Sequence, residues 1–574
     1  MTRSFLDQIA GAIVACMVLP SLSVAREGAD IIFHNGKVLT VDRHFSVADA
    51  VAIRGDRILA VGDESILDRF DARQVIDLHH HVLMPGFTDT HVHMLPMSHR
   101  QVSLEGAKSI ADIQARLKQK ASVLKPGEWI TGNGWDEAQL AERRVITHAD
   151  IDAAVPDNPV LLTRAGGHSA VGNALAMKLA HIGRATPDPV GGIIEHDAAG
   201  EPTGIVRERV DLYRRLIPLD SWEELKPTYV ASIRRLIPLG ITSFHSATTS
   251  IDDEPVGLGG IADPPPTLTF RRLQAIYRQQ GEALPRVTTY IAYPGARRLA
   301  EYPHHSGYGD DRVRLGGIGE NLVDGGFTGP TAWLLADYKG QPGFRGRGFF
   351  TDARLQEMVD TAARTGWQMA LHTIGDAAIV QTVRAYDKAL ATIPGPDRKG
   401  RDRRWFLCHF TIMPPEATME TMARDGIMIV QQPNFLYDLE RRYEDNLDDW
   451  RLAHNNAVAT PNRFGLRIAF SSDNLPIGPM VGLYAAITRK GPDGRVLGGG
   501  EAVSRAEAIR HYTIDPAYFS WEENSKGSIE PGKLADMIVL DQDIMTEPEQ
   551  RILDTHVQMV MIGGRIVYRP DIPL

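Results

Sequence analysis

Cysteine is scarce in this sequence of 574 residues, which contains only Cys16 and Cys408. If the N-terminal segment is removed, as argued below, Cys408 alone remains, and a single thiol forms no internal disulfide. A disulfide scaffold is therefore excluded for the mature chain. The hydrophobic core, with or without a bound metal, must hold such a protein together.

Blocks of basic residues are also missing. The net charge is −10, and no run of lysine or arginine stands out. This argues against nucleic acid and against anionic membrane surfaces as partners. The composition, 43% hydrophobic and 23% charged, is that of a soluble globular protein. We expect a small-molecule substrate, and homo-oligomers are compatible with the sequence.

Long apolar runs are absent except near the N-terminus. Residues 9–20 are apolar, Arg3 precedes them, and the small residues Ser23-Val24-Ala25 follow. The run is too short to span a bilayer, and the arrangement is typical of a secretory signal. We predict a signal peptide at residues 1–25 and a periplasmic or secreted protein. The alternative is a lipoprotein signal ending at Cys16.

The two ends of the chain carry β patterns. Asn35-Gly36 and Gly55-Asp56 mark turns within alternating runs over residues 30–84, and Gly563-Gly564 marks a hairpin near the C-terminus. These patterns predict one small β-sandwich, built from residues 26–84 and 521–574.

Between these ends, strand-like runs alternate with helical patterns. Residues 355, 358, 359, 362 and 363, for example, are apolar at helical spacing. The predicted strands are 86–93, 240–247, 286–293, 314–324, 367–374, 405–411, 426–432 and 467–473. Eight strands alternating with helices predict an α/β fold, a (β/α)8 TIM barrel over residues 85–520.

Two insertions interrupt the alternation. Residues 94–238 are far longer than an ordinary connection between strands. Residues 251–268 contain glycine and proline clusters that disfavour helix and strand. The second insertion is predicted to be either a mobile loop over the barrel mouth or a plain surface connection.

Histidines and one aspartate stand at the ends of predicted strands. His91 and His93 lie two residues apart, so their side chains project to the same side of a strand. His372 ends the fifth strand, His409 the sixth and Asp473 the eighth. The C-terminal ends of barrel strands meet at one face. Four histidines and a carboxylate there predict a site for a divalent metal.

Together these residues resemble motifs of the amidohydrolase superfamily, and specifically of its YtcJ-like branch, amidohydrolase family 3. The resemblance covers nearly all of residues 30–570. Its motifs include Pro85-Gly-Phe-Thr-Asp-Thr-His-Val-His93, Gly134-Trp-Asp-Glu137, His372-Thr-Ile-Gly-Asp376, Cys408-His409, Ser471-Ser-Asp473 and Gly532-Lys-Leu-Ala-Asp536.

The resemblance implies a hydrolase that cleaves an amide or N-acyl C–N bond with metal-activated water. His91, His93 and Asp473 would hold one metal, and His372 and His409 a second, or the only one if the site is mononuclear. Zinc is the expected metal. Asp473 would also be the general base that takes a proton from water and delivers it to the leaving nitrogen.

Three further residues are implied less directly. Relatives carry a lysine where this chain has Glu320, and a glutamate there offers two oxygens that would bridge two ions, or pair with a nearby arginine instead. Trp135 and His168 match positions that face substrate, and core packing is the alternative for Trp135. Two other functions stay open: cleavage or rearrangement of another bond, and a ligand-binding or regulatory protein without turnover.

Overall fold

The computed structural model of the protein describes most of the chain between residues 26 and 570. The described residues are 26–94, 96–104, 106–135, 137, 140–164, 169–189, 192–207, 209–252, 268–281, 284–327, 330–393 and 403–570. The predicted signal segment, residues 253–267 of the second insertion and His168 lie outside the described residues.

Eight parallel strands form the central sheet and follow one another around it in sequence order. Their bounds are Phe87–Val92, Ile241–Thr249, Arg286–Ile291, Val313–Leu322, Met369–Thr373, Phe406–His409, Met428–Gln431 and Ile468–Phe470. We call them barrel strands one to eight. Each overlaps one predicted run, and the predicted (β/α)8 barrel is confirmed.

Side chains and single backbone bonds join strand eight to strand one. The hydroxyl of Thr90 donates to the carbonyl of Phe470 at 2.6 Å, and the backbone N–H of Asp473 donates to the carbonyl of His91 at 2.9 Å. Asp89 accepts from the hydroxyl of Ser472 at 2.5 Å. The closure therefore places the first and last predicted ligand segments side by side.

The helices pack their apolar stripes against the barrel. In Asp352–Thr365 the predicted stripe, which includes Leu355, Met358 and Ala362, is buried. The backbone N–H of Arg354 donates to the hydroxyl of Thr351, which caps the helix start. The helical segments after residue 221 are Trp222–Arg234, Ile237–Leu239, Phe270–Gln280, Ala296–Glu301, Asp352–Thr365, Asp376–Leu390, Glu416–Asp425, Pro433–Asp438, Glu440–Asn446, Asp449–Ala453, Ala459–Arg463, Pro479–Thr488, Gly499–Glu501, Arg505–His511, Ile514–Phe519 and Glu549–Asp554.

Two smaller sheets are built from the chain ends. One contains Arg57–Gly62, Ala50–Arg54, Glu27–His34 and Phe70–Asp77, with helix Ile66–Arg69 beside it. The other runs in the order Arg565–Tyr568, Val557–Ile562, Met537–Leu540, Val82–Pro85, Lys37–Leu39 and Val47–Ala48. One apolar cluster, to which Phe33, Val51, Met537 and Met559 belong, contains residues of both sheets. The β-sandwich formed from both termini is thus present.

The first insertion has a sheet of its own, which the sequence reading did not resolve. Its strands are Gln101–Ser103, Ile130–Trp135, Val160–Arg164, Ser169–Gly172, Ile193–His196 and Pro202–Arg207. Its helices are Ile110–Ala121, His148–Asp152, Ala174–Leu179 and Asp211–Arg214. None of the helices in the described part of the chain has the length and apolar character needed to cross a bilayer.

Candidate metal centre

The predicted ligands meet at the C-terminal ends of the barrel strands. His93 Nε2 lies 2.9 Å from Asp473 Oδ1, and His91 Nε2 lies 3.5 Å from the same oxygen. His91 and Asp473 also join with His409 in a group whose ligand atoms are all within 4.8 Å of one another. The closed barrel therefore brings together residues that are nearly 400 positions apart in sequence.

Glu320 lies at the centre of the cluster, in contact with all four histidines. Its Oε2 is 3.4 Å from His91 Nε2. Its Oε1 is 3.4 Å from His372 Nδ1, 3.8 Å from His409 Nε2 and 4.0 Å from His93 Nε2. In the described part of the chain no arginine pairs with Glu320, so the alternative of a plain ion pair with arginine finds no support in these contacts.

Three members of the cluster have a left-handed backbone. The φ angles are 58° at Glu320, 80° at His409 and 50° at Asp473. For residues other than glycine, such angles are unfavourable by about 1–3 kcal/mol. Residues with these angles are concentrated at functional sites. Each residue lies near or just after the end of a barrel strand. There the backbone turns away from the strand, and the side chain points towards the cluster.

The buried carboxylates of the cluster are held in their ionised form. Burial acts to raise the pKa of Glu320, but the surrounding histidines, His91 foremost, outweigh it and hold the pKa well below its usual range. The pKa of Asp473 is also lowered, because His91 and His93 outweigh the effect of burial. Both side chains are therefore available as anionic ligands or proton acceptors at neutral pH.

The hydrogen bonding of the buried nitrogen and oxygen atoms indicates whether the cluster suits a metal. Among the described residues, His91 Nε2, His372 Nε2, His409 Nε2 and Glu320 Oε2 have no hydrogen-bond partner. Buried polar atoms are normally satisfied, so four such atoms in one place need an explanation. A divalent cation supplies one, because imidazole and carboxylate are ligands that zinc and similar metals prefer.

Gln432 fixes the orientation of one of these histidines. His409 Nδ1 lies 2.9 Å from Gln432 Oε1, while Gln432 Nε2 donates to Ser471 Oγ at 2.8 Å. The amide oxygen is therefore the end that faces His409, and the ring donates its Nδ1–H to it. The lone pair of His409 Nε2 is left free for a cation.

Asp324 organises the loops beside the cluster. Its carboxylate accepts the backbone N–H groups of Trp333 at 2.8 Å, Ile374 at 3.0 Å and Gly375 at 2.8 Å. Trp333 follows the fourth barrel strand, and the other two residues follow the fifth. The side chain thus ties together the two loops that flank His372.

A cavity of about 460 Å³ opens beside the cluster. His372 and Asp473 contribute to its wall, so it communicates directly with the proposed metal ligands. The rest of the wall is mainly apolar and aromatic. The lining residues are Leu322, Asp324, Gly325, Gly326, Phe327, Thr331, Arg347, Phe349, His372, Ile374, Thr411, Phe435, Leu439, Tyr443, Asp473 and Leu475. The volume suits a small molecule with an apolar group.

Trp135 does not line this cavity. It is 2% exposed and belongs to the apolar core of the first insertion, together with Ile110, Ile146 and Leu162. Its predicted contact with substrate stays a prediction, as does that of His168, which lies outside the described residues.

Sequence reasoning did not single out Gln432, Asp324 or Arg347. Gln432 ends the predicted seventh strand, but an amide is not among the ligand types that zinc prefers, so the sequence alone does not mark it. Asp324 ends the predicted fourth strand, four residues after Glu320, but its position alone does not indicate that it binds backbone N–H groups. Nothing in the local sequence marks Arg347.

Comparison with known proteins agrees with this geometry. The family model described as "Amidohydrolase family" matches residues 74–568. The putative amidohydrolase YtcJ of Bacillus subtilis is 28% identical over 549 residues, which covers 94% of this chain and 99% of that protein. The N-substituted formamide deformylase of Arthrobacter pascens is 26% identical over 562 residues, which covers 94% of this chain and 98% of the relative.

Solved structures show the same fold. An uncharacterised metal-dependent hydrolase from Pyrococcus horikoshii superimposes with a TM-score of 0.71 at 22% identity, over 91% of this chain and 99% of its own. Another from Pyrococcus furiosus gives 0.69 at 25% identity, over 90% of this chain and 100% of its own. With the family model matched along most of its length, the chain belongs to the amidohydrolase family and is a hydrolase.

Proposed function

We propose that the protein hydrolyses an amide or N-acyl C–N bond of a small molecule with the help of a divalent metal. This proposal rests on the contacts of Glu320 with all four histidines. Three ring nitrogens in the same cluster also lack hydrogen-bond partners among the described residues: His91 Nε2, His372 Nε2 and His409 Nε2. The named activity of the Arthrobacter deformylase supports a C–N bond as the target. Zinc is the proposed metal, because a histidine-rich donor set suits it.

The residues of the chain have separate tasks in this reaction. A bound divalent ion lowers the pKa of water to roughly 7 and polarises a carbonyl group. The four histidines, Glu320 and Asp473 would hold the ion. Asp473, ionised and lining the cavity, accepts the proton of the attacking water and returns it to the leaving nitrogen. A substrate bound in the cavity would lie next to this carboxylate, because Asp473 contributes to the cavity wall.

The direct test combines metal analysis with an activity assay. Purified protein should contain a stoichiometric divalent metal and should release amine from members of a panel of N-formyl, N-acetyl and N-benzoyl amines. Removal of the metal with a chelator should abolish release, and zinc should restore it. Full activity in metal-free protein would overturn the proposal. Stoichiometric metal without turnover of any amide, ester or lactone would favour a binding protein.

We further propose that, with two ions bound, Glu320 would be a ligand of both. Its two oxygens face different histidines: Oε2 is nearest His91, and Oε1 is nearest His372. Replacing Glu320 with alanine should reduce bound metal from about two per chain towards one or none, because the remaining cations would repel each other. Glu523→Ala is the control, since that carboxylate pairs with Arg404 and is not part of the cluster. If Glu320→Ala binds as much metal per chain as the wild-type protein, Glu320 has only a structural role.

Export remains a proposal that rests on the sequence of residues 1–25. Mass spectrometry of the mature protein should find Arg26 at the N-terminus. A product that retains Met1 in the cytoplasm would contradict export, and a lipid on Cys16 would establish the lipoprotein alternative.

A further inference from the structure

Arg347 lines the cavity. It belongs to a segment that is hydrogen-bonded to the end of the fourth barrel strand. The backbone N–H of Phe349 donates to the carbonyl of Val323 at 2.8 Å, and Gly348 forms an antiparallel bridge with Asp324. Both Arg347 and Phe349 belong to the cavity wall. The backbone on the C-terminal side of Arg347 is therefore fixed against the strand end that carries Glu320.

Arg347 is the arginine of the cavity wall, and no described residue forms an ion pair with it. Of the ionisable lining residues, His372 and Asp473 belong to the metal cluster, and Asp324 is occupied by three backbone N–H groups. Among the described residues, no carboxylate lies within 4.0 Å of the Arg347 guanidinium, and no hydrogen bond to it is formed. Within the part of the chain that the structure describes, this exposed charge is therefore left to solvent or to a ligand in the cavity.

The neighbouring arginine behaves differently. Arg345 Nε lies 2.7 Å from Asp337 Oδ1, so its charge is already paired. The two side chains are both exposed and stand only two residues apart. One of them is thus committed to the protein, and the other is available to a ligand.

We propose that Arg347 binds a carboxylate on the substrate, which makes the substrate an anionic N-acyl compound with an apolar group. The guanidinium presents paired N–H donors that match the two oxygens of a carboxylate. Phe327, Phe435 and Leu475 contribute to the apolar wall that would receive the rest of the molecule. This inference rests on the proposed function of the same site and names its substrate class.

The test compares anionic and neutral versions of the same compounds. N-acetylphenylalanine and N-acetylphenylalaninamide place the difference in the amine half, and N-succinylbenzylamine and N-butyrylbenzylamine place it in the acyl half. In at least one pair, the wild-type protein should prefer the anionic member by about 10-fold or more in kcat/KM, the scale of a charge-assisted hydrogen bond. Arg347→Gln should remove this preference, mainly by raising KM for the anionic member.

Arg345→Gln is the matched control and should keep the preference. Calorimetric binding of the same four compounds to the zinc-loaded protein gives a readout that does not need turnover. Hydrolysis without a charge preference in either pair would overturn the inference and leave the proposed function intact. Absence of hydrolysis, together with tighter binding of an anionic compound that Arg347→Gln removes, would overturn the proposed function alone. Equal loss in the Arg345 and Arg347 variants would show a general charge effect and would also overturn the inference.

Discussion

Asp473 shows how one residue can combine two functions. It lies 2.9 Å from His93 as a potential fellow ligand, and it lines the cavity as a potential base. Its lowered pKa keeps the carboxylate ionised under conditions in which an isolated buried carboxyl would be protonated. The histidines around it therefore keep it in the ionised form that both a metal ligand and a proton acceptor require.

Replacing Asp473 with asparagine should reduce kcat by about 100-fold or more, which is the scale of general acid–base catalysis. Asparagine keeps the size of the side chain and one ligand oxygen, but it does not accept the proton. Metal content must be measured on the same sample, because a lost ion would give the same decrease in rate. Normal turnover in a variant with its full metal content would remove Asp473 from the mechanism.

Gln432 allows a prediction about metal affinity rather than rate. Gln432→Leu removes the acceptor of His409 Nδ1, so the ring loses its fixed tautomer, and the affinity for zinc should fall by about 10- to 100-fold. Competition with a fluorescent chelator measures this affinity. Gln432→Glu retains an acceptor oxygen and should recover most of the loss.

The adjacent Gln431 supplies the control for this experiment. Its side-chain N–H groups donate to the carbonyls of Phe410 and Ala457, and among the described residues its side chain forms no hydrogen bond with the side chain of a proposed ligand. Gln431→Leu should lower the stability of the metal-free protein with little change in intrinsic zinc affinity. If both variants lose affinity equally, Gln432 would have a packing role only.

At the scale of elements, the barrel was predictable because its buried strands are short apolar stretches that recur along the sequence with helical patterns between them. The eight predicted runs match the eight strands, and His91, His372, His409 and Asp473 meet because parallel strands end at one face. The sheet of the first insertion was not predicted, because its short strands lack an equally regular spacing. The tautomer set by Gln432 and the free charge of Arg347 depend on distances that only the folded chain defines.

Asp324 connects the elements that form the cavity. Asp324→Ala leaves the N–H groups of Trp333, Ile374 and Gly375 without their acceptor, and each unsatisfied buried group costs about 1–3 kcal/mol. Hydrogen exchange at these amides should therefore become faster while that of the distant sandwich strand 537–540 stays slow. Unchanged exchange at all three sites would show that Asp324 does not hold the loops.

At the scale of the whole molecule, a buried ion pair links the barrel to the sandwich. Arg286 begins the third barrel strand, and its Nε lies 2.6 Å from Asp536 Oδ2, just before sandwich strand 537–540. Asp536 also accepts the backbone N–H of Gly563 at 2.7 Å. Both side chains are at most 7% exposed. The pair therefore fixes how the catalytic barrel sits on the sheets formed by the chain ends.

Asp536→Ala should destabilise the protein by about 1.5–3 kcal/mol, because the buried guanidinium of Arg286 loses both hydrogen bonds to Asp536 and keeps only the longer carboxylate contact with Asp311, at 3.5 Å. The midpoint of urea denaturation measures the change. Asp493→Ala is the control, since its partners Arg441 and Arg495 are 78% and 50% exposed and water replaces the lost contacts. Arg286→Met combined with Asp536→Leu should recover much of the stability, because a buried pair replaced by apolar groups leaves no unpaired charge. If Asp536→Ala and Asp493→Ala denature at the same urea concentration, the pair has no net stabilising effect and the apolar contacts alone hold barrel and sandwich together.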